Sequence, residues 1–351
     1  MKLTWTGVLL VGWAAGTTAL VAETDSGASP GFQEVYDLLT NAPGVTAAAL
    51  NRAAVQGMLN RFAPVASLEA AAPTHPTAGA LLSKTAVFDG AYAYLRVARV
   101  GARLGEEIGS AYGRLSATNK LKGLVLDLRF ADGEDYAAAA AAADKFLSTD
   151  QPLLRCGDQL QRSTAKHDAI SLPLMVLVNQ QTAGAAEALA GVLRRTEAGL
   201  LLGTNTAGRA YLFKDFTLRD GQRLRVATTT VKLGDGQPLP AEGLKPDIRI
   251  SVKPDEERLY FADPYRVLTN PAPVLFASST VTNADTEPVH RINEAELVRR
   301  QKEGQNLDDA PEEVPGPGPD AARPVVQDPT LSRALDLLKG LAVVQQQLRQ
   351  P

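Results

Sequence analysis

Two short, nearly continuous apolar runs constrain this chain most: Leu121–Arg129 (LKGLVLDLR) and Leu172–Asn179 (LPLMVLVN). Runs of that length without polar alternation fit strands covered on both faces, as in a parallel sheet between layers of helix. Helical spacing surrounds them. Ala102–Ser116, the alanine-rich Asp135–Leu147 and Ala185–Arg195 read as helices, Gly199–Gly203 as a short strand, and Ala86–Val100 as strands ahead of them all. That strand–helix–strand order predicts a layered α/β core. Beyond Gly203 the pattern changes to paired strands, Tyr211–Leu218 and Arg223–Val231, joined through Arg219-Asp220-Gly221 as a hairpin turn; Gly234-Asp235-Gly236 is a second turn signal.

The flanks divide into further segments. Residues 1–22 place Lys2 before an apolar run from Val8 to Ala15 and end in small residues, the layout of a secretory signal peptide, with an uncleaved anchor as the alternative. Both tryptophans, Trp5 and Trp13, belong to this leader. Residues 23–62 predict a helical segment, two helices broken at Pro43-Gly44, and 63–84 a linker rich in Ala, Pro and Thr. The core is expected over 85–255, followed by an extension over 256–303. A proline-rich acidic linker over 304–329 then leads to a C-terminal helix over 330–351, whose apolar residues Leu331, Leu335 and Leu338 dock on the body.

Composition narrows the chemistry. With 36 basic and 39 acidic residues the formal charge is −3, which gives no electrostatic basis for binding nucleic acid. The chain has three histidines and one cysteine, the residues on which most metal sites and Ser-His or Cys-His catalysts draw. Cys156 reads as a small, half-buried hydrophobe, and His75 and His290 show no ligand spacing, so neither a metal nor a cofactor is expected. An enzyme with this composition depends on other residues.

Four segments, in order, resemble the tail-specific, or carboxyl-terminal processing, family of serine peptidases. They are Lys122-Gly-Leu-Val-Leu-Asp-Leu-Arg129; Pro173-Leu-Met-Val-Leu-Val-Asn179 with Gln181-Thr-Ala-Gly-Ala-Ala-Glu187; Gly203-Thr-Asn-Thr-Ala-Gly-Arg209; and Glu242-Gly-Leu-Lys-Pro-Asp247. The resemblance runs from about Glu34 to Lys253, and the segment from Asp328 to Leu338 is similar to the family's closing helix. It implies a ClpP/crotonase-like layered ββα core (α/β, or α+β) with leading helices, a β-rich strap and a C-terminal helix. The PDZ module that many members insert after the leading helices is not visible, because residues 63–85 are too few to hold one.

The resemblance also implies a serine nucleophile and a lysine base, and this chain departs at both. The nucleophile position falls on Gly184, the base position on Arg209, and a third position, an aspartate in the family, on Arg195. Glycine carries no attacking oxygen, and an arginine, with a pKa above about 12, does not act as a general base. No serine lies between Leu172 and Arg209. Thr182 is the substitute nucleophile to weigh against a capping or turn role, and Glu187 reads as a first-turn acid at a helix start. In the loop Phe130-Ala131-Asp132-Gly133-Glu134, Gly133 preserves a close backbone approach, whereas Glu134 brings negative charge toward a developing oxyanion. Gly133 and Ala185 are the oxyanion or peptide-groove candidates. Ser163, Thr164, Lys166 and His167 read as a polar surface loop.

The sequence therefore points to an exported homologue of these peptidases, periplasmic or extracellular, that binds a polypeptide or protein partner without hydrolysing it. An active peptidase with displaced catalytic residues is the alternative. A third reading has the helical arms mediating assembly, so an oligomer is compatible. No nucleic acid and no membrane span after the leader are expected.

Overall fold

The two apolar runs become adjacent parallel strands, Gly123–Asp127 and Leu174–Val178, in register from Leu124↔Leu174 to Asp127↔Leu177. The structure is a computed structural model that describes residues 30–63, 65–69, 79–268, 275–276 and 325–348. The signal-peptide segment, His75, His290 and most of the 256–303 and 304–329 intervals lie outside these residues. The chain divides into two compact units, residues 1–63 and 64–351.

The first unit contains α1 (Phe32–Thr40) and α2 (Ala47–Phe62). The turn between them contains Gly44 with φ at 80°, and Thr46 caps α2 by accepting from the Ala49 N–H at 3.2 Å.

The second unit opens with β1 (Ala66–Glu69), β2 (Leu82–Phe88), β3 (Tyr92–Val97), β4 (Arg99–Val100) and α3 (Leu104–Thr118). Next come β5 (Gly123–Asp127), β6 (Asp132–Gly133), α4 (Tyr136–Asp144), β7 (Pro152–Cys156), β8 (Gln159–Arg162), β9 (Leu174–Val178) and α5 (Gly184–Arg195). The remainder is β10 (Leu200–Gly203), β11 (Tyr211–Thr217), β12 (Arg223–Thr230), β13 (Lys232–Leu233), β14 (Ile248–Ser251), α6 (Pro254–Ala262), β15 (Leu275–Phe276) and α7 (Pro329–Leu348).

The main sheet has seven strands in the order β15-β14-β10-β9-β5-β3-β2, its inner five parallel and its outer two antiparallel. Alternate residues of β5 and β9 feed opposite cores, which is why both strands are apolar throughout. Leu124, Leu126, Val176 and Val178 join α3, α4 and α5 on one face, while Val125, Met175 and Leu177 join Leu331, Ala334, Leu335 and Leu338 of α7 on the other. The result is the mixed α/β layered architecture expected from the sequence.

A second sheet, β1-β12-β11, is antiparallel, with β11 and β12 forming the hairpin read from the sequence. β1 falls inside the 63–84 interval read as a linker and pairs with β12 from Ala66↔Val226 onward, so that stretch is not irregular throughout. A third sheet, β13-β7-β8, and the short parallel pair β4-β6 complete the unit. Among the described residues no helix is long and apolar enough to cross a membrane.

Candidate functional site

Strand β9 runs into α5 through a turn fixed by side chains as well as backbone. Thr182 is buried; its hydroxyl donates to the Leu128 carbonyl at 2.9 Å and accepts from the Asn179 N–H at 3.0 Å. Asn179 Oδ1 accepts from the Phe130 N–H at 3.1 Å and the Gln181 N–H at 3.0 Å. The ends of β5 and β9 are thereby cross-tied, which fixes the loop after β5 against the start of α5.

Gly184 is the first residue of α5, with φ at 57°, a backbone region that favours glycine. A Cβ there would lie 2.2 Å from the Gly133 carbonyl oxygen. No real Cβ contact is that close, and the neighbour is backbone, which cannot rotate aside as a side chain can. Gly133 is itself confined: it pairs with Val100 in β4-β6, and a Cβ on it would meet the Val100 carbonyl oxygen at 2.3 Å. Three further contacts hold the loop. The Ala183 N–H donates to the Ala131 carbonyl at 3.0 Å, the Phe130 ring packs edge-on against Phe261 at 4.8 Å, and Glu134 pairs with Arg225 at 2.5 Å. The last contact corrects the sequence reading of Glu134, whose carboxylate is neutralised by Arg225.

Gly133 and Gly184 line one groove of about 810 Å³ with Arg99, Phe130, Gln181, Arg209 and Phe213. Arg209 therefore shares the groove with Gly184, as the resemblance implies for base and nucleophile positions. Its backbone N–H donates to Glu187 Oε2 at 2.8 Å, while its side chain is exposed and makes no ion pair among the described residues. None of the described residues lining the groove is Ser, Thr, Cys or Lys. The Tyr136 hydroxyl is committed to the Tyr211 carbonyl at 2.9 Å, and burial pushes that phenol well above its ordinary value.

Glu187 does more than favour the helix dipole. Fully buried, it accepts from Thr206 Oγ1 at 2.5 Å, the Gly208 N–H at 2.9 Å and the Arg209 N–H, so it clamps the Arg209 loop to α5. Burial raises its carboxyl above the usual range, and these hydrogen bonds draw it only part of the way back.

The other candidates lie elsewhere. Ala185 is buried in the core beneath the sheet. Arg195 ends α5, eleven residues on from Gly184 and so about 16 Å along the helix, where it pairs with Asp235 at 2.7 Å. Ser163 donates to the Thr149 carbonyl at 2.7 Å and Lys166 pairs with Asp144 at 2.5 Å, so the two form no Ser-Lys set. Cys156 is half-buried, and burial pushes its thiol up. No group of His, Cys, Asp and Glu that could hold a metal occurs among the described residues. Sequence reading missed Phe130, Gln181 and Phe213 as groove residues. Phe213 had a signal, as an aromatic in a predicted hairpin strand beyond the Arg209 motif.

Residues 91–250 match the model of peptidase family S41. The chain is 29% identical over 161 residues to the chloroplastic C-terminal processing peptidase of Tetradesmus obliquus, covering 45% of this chain and 34% of that protein. It is 27% identical over 168 residues to the carboxy-terminal-processing protease of Bartonella bacilliformis, covering 46% of this chain and 39% of that protein. The match thus spans between a third and two fifths of these relatives' length. In structure it is similar to a candidate peptidase from Parabacteroides merdae at a TM-score of 0.50 and 14% identity, covering 67% of this chain and 87% of that one. The ordered motifs, the layered fold and the family match together make residues 91–250 a peptidase family S41 domain of the tail-specific, carboxyl-terminal processing type.

Proposed function

We propose that this chain is an exported, non-catalytic member of the tail-specific peptidases that holds a polypeptide segment in its groove without cleaving it. The observation that carries the reading is the Gly133 carbonyl oxygen, 2.2 Å from where a side chain on Gly184 would begin. Backbone fills the nucleophile's place, so the site lacks more than an oxygen atom. The base position holds Arg209, and an arginine side chain does not act as a general base. The Thr182 hydroxyl already serves two core hydrogen bonds and does not line the groove, which argues against a displaced nucleophile. Polypeptide binding is supported by the groove's make-up: aromatic walls at Phe130 and Phe213, and β11, an edge strand whose outer backbone groups suit an extended segment. Export is supported by the leader-like residues 1–22.

The test uses the protein from Glu23 onward, which contains no tryptophan, so that a tryptophan-bearing unfolded peptide supplies the only indole signal. The peptide binds, binding weakens in Phe213→Ala, and mass spectrometry finds the peptide intact after prolonged incubation. Turnover that disappears in Thr182→Ala overturns the non-catalytic reading. Absence of binding by any extended peptide overturns the binding one.

A further inference from the structure

The loop that carries Arg209 is held more tightly than an ordinary surface loop. Buried Glu187 accepts from Thr206 Oγ1 and from the Gly208 and Arg209 N–H groups. The Ala207 N–H donates to the Thr182 carbonyl at 2.9 Å, and the Leu244 N–H to Thr206 Oγ1 at 2.7 Å. Gly208 has φ at 66°, and a Cβ on it would lie 2.0 Å from the Ala241 carbonyl oxygen, so backbone packs directly on backbone there. The main chain of Arg209 is thus fixed at the groove that Gly184 also lines. Its side chain is exposed and has no ion pair, hydrogen bond or ring contact among the described residues.

The other charges of the groove are differently placed. Glu134 pairs with Arg225, Asp135 caps α4 by accepting from the Ala138 N–H at 2.8 Å, and Arg99 has a contact of its own. Asp132 is exposed and forms no ion pair with Arg209. Arg209 is therefore the uncommitted cation of the groove lining among the described residues. Arg258, 5.2 Å from the Phe130 ring centroid and also without an ion pair among the described residues, adds positive charge beside the Phe130 wall.

A polypeptide offers a guanidinium two sources of anion, the Asp and Glu side chains and the α-carboxylate at its C-terminus. Both are carboxylates, planar groups that accept two parallel N–H bonds from the guanidinium fork. Because the loop is already rigid, only the Arg209 side chain has to be ordered when such a pair forms. We infer that Arg209 is the specificity-determining residue of the groove and takes a carboxylate of the bound segment, at the position where the resemblance implies a catalytic base. The inference rests on polypeptide binding in this groove and names the chemical group that the groove selects.

Isothermal titration calorimetry of the full chain tests it, with one unfolded, N-acetylated peptide in four forms: Glu or Gln at a central position, and a free or an amidated C-terminus. The form with neither carboxylate binds at least about tenfold more weakly than the form with both. The two intermediate forms show whether the side chain or the C-terminus supplies the group. Arg209→Gln keeps the thermal transition of the wild type, since only an exposed side chain changes, and binds all four forms alike at the level of the neutral one. Arg209→Lys restores part of the preference. Equal binding of the neutral and charged forms by the wild type overturns the inference and leaves polypeptide binding standing, as does a preference that survives in Arg209→Gln. Binding of none of the four forms overturns polypeptide binding and the inference together.

Discussion

At Gly184 two independent constraints act on one position: a φ of 57°, and the Gly133 carbonyl within 2.2 Å of any Cβ. A side chain in the left-handed region costs roughly 1–2 kcal/mol before any clash is counted, and relieving the clash requires β6 to leave β4. Restoring the family residues with Gly184→Ser/Arg209→Lys is therefore expected to lower stability by at least about 1–2 kcal/mol in urea denaturation and to yield no peptide hydrolysis. Gly184→Ala should cost as much as Gly184→Ser, because the first side-chain atom makes the clash. A double variant that is both stable and active would mean that the loop opens freely. Thr182→Ala strands the Asn179 N–H in the core and leaves the Leu128 carbonyl with the Ala131 N–H alone, at a cost of about 1–3 kcal/mol. Much of this site was legible in the sequence, since motif order alone brings Gly133, Gly184 and Arg209 to one place. The plug was not, because it depends on the path of a backbone loop whose residues are ordinary. The partner of Glu134 was hidden too: Arg225 lies 91 residues away and meets it only through the fold.

Among the elements, α7 shows how a terminal helix is tied to a sheet. Its apolar residues Leu331, Ala334, Leu335 and Leu338 cover one face, and Asp328, just ahead of it, caps the first turn by accepting from the Thr330 and Leu331 N–H groups. The same carboxylate pairs with Arg129 at 2.8 Å; Arg129 also pairs with Asp127 at 2.7 Å, and all three side chains are about 99% buried or more. Burial opposes the Arg129 charge, but Asp127 and Asp328 outweigh it and hold the guanidinium firmly protonated. Removing one partner from such a cluster leaves charge without compensation, so Asp328→Asn should destabilise by roughly 3–5 kcal/mol. The half-exposed Lys339–Asp89 pair on the same helix should be worth no more than about 1 kcal/mol. Calorimetry of Asp328→Asn beside Asp89→Asn separates them, and equal losses would contradict the ranking. The helix was readable because its spacing is regular, as were β5 and β9 from their unbroken apolar runs. β1, β7, β8 and β14 were not. Four or five residues with polar members carry little periodic signal, and β1 becomes a strand only through β12, 154 to 160 positions later in the chain.

On the scale of the whole molecule, the buried carboxylates set how stability follows pH. Glu187 clamps the Arg209 loop to α5, and Glu257 of α6 accepts from Asn179 Nδ2 at 3.1 Å, so each carboxyl sits buried at a junction between elements. Burial raises both carboxyls above the usual range; in Glu257 the pull of Arg129 and the Asn179 hydrogen bond offsets only part of it. A carboxyl that holds its proton more tightly folded than unfolded contributes stability that is complete below its unfolded value, about 4.3 for Glu, and is lost as pH rises through the folded one. Asp144 has the opposite sign. Burial raises its carboxyl, but Lys166 and Thr164 outweigh this and lower it, so its contribution is present above about 3.9 and is lost as pH falls through the folded value. Together these groups place the maximum on the acidic side of neutrality, with Tm falling at fixed ionic strength as pH rises from about 4.3, the unfolded glutamate value, through the raised folded values of Glu187 and Glu257. Glu257→Gln keeps an acceptor for Asn179 and removes one ionisation, so its profile should be flatter and should gain on the wild type as pH rises. A wild-type Tm flat across that interval, or a Glu257→Gln profile as steep as the wild type's, would show that these carboxyls do not govern the unfolding of this unit.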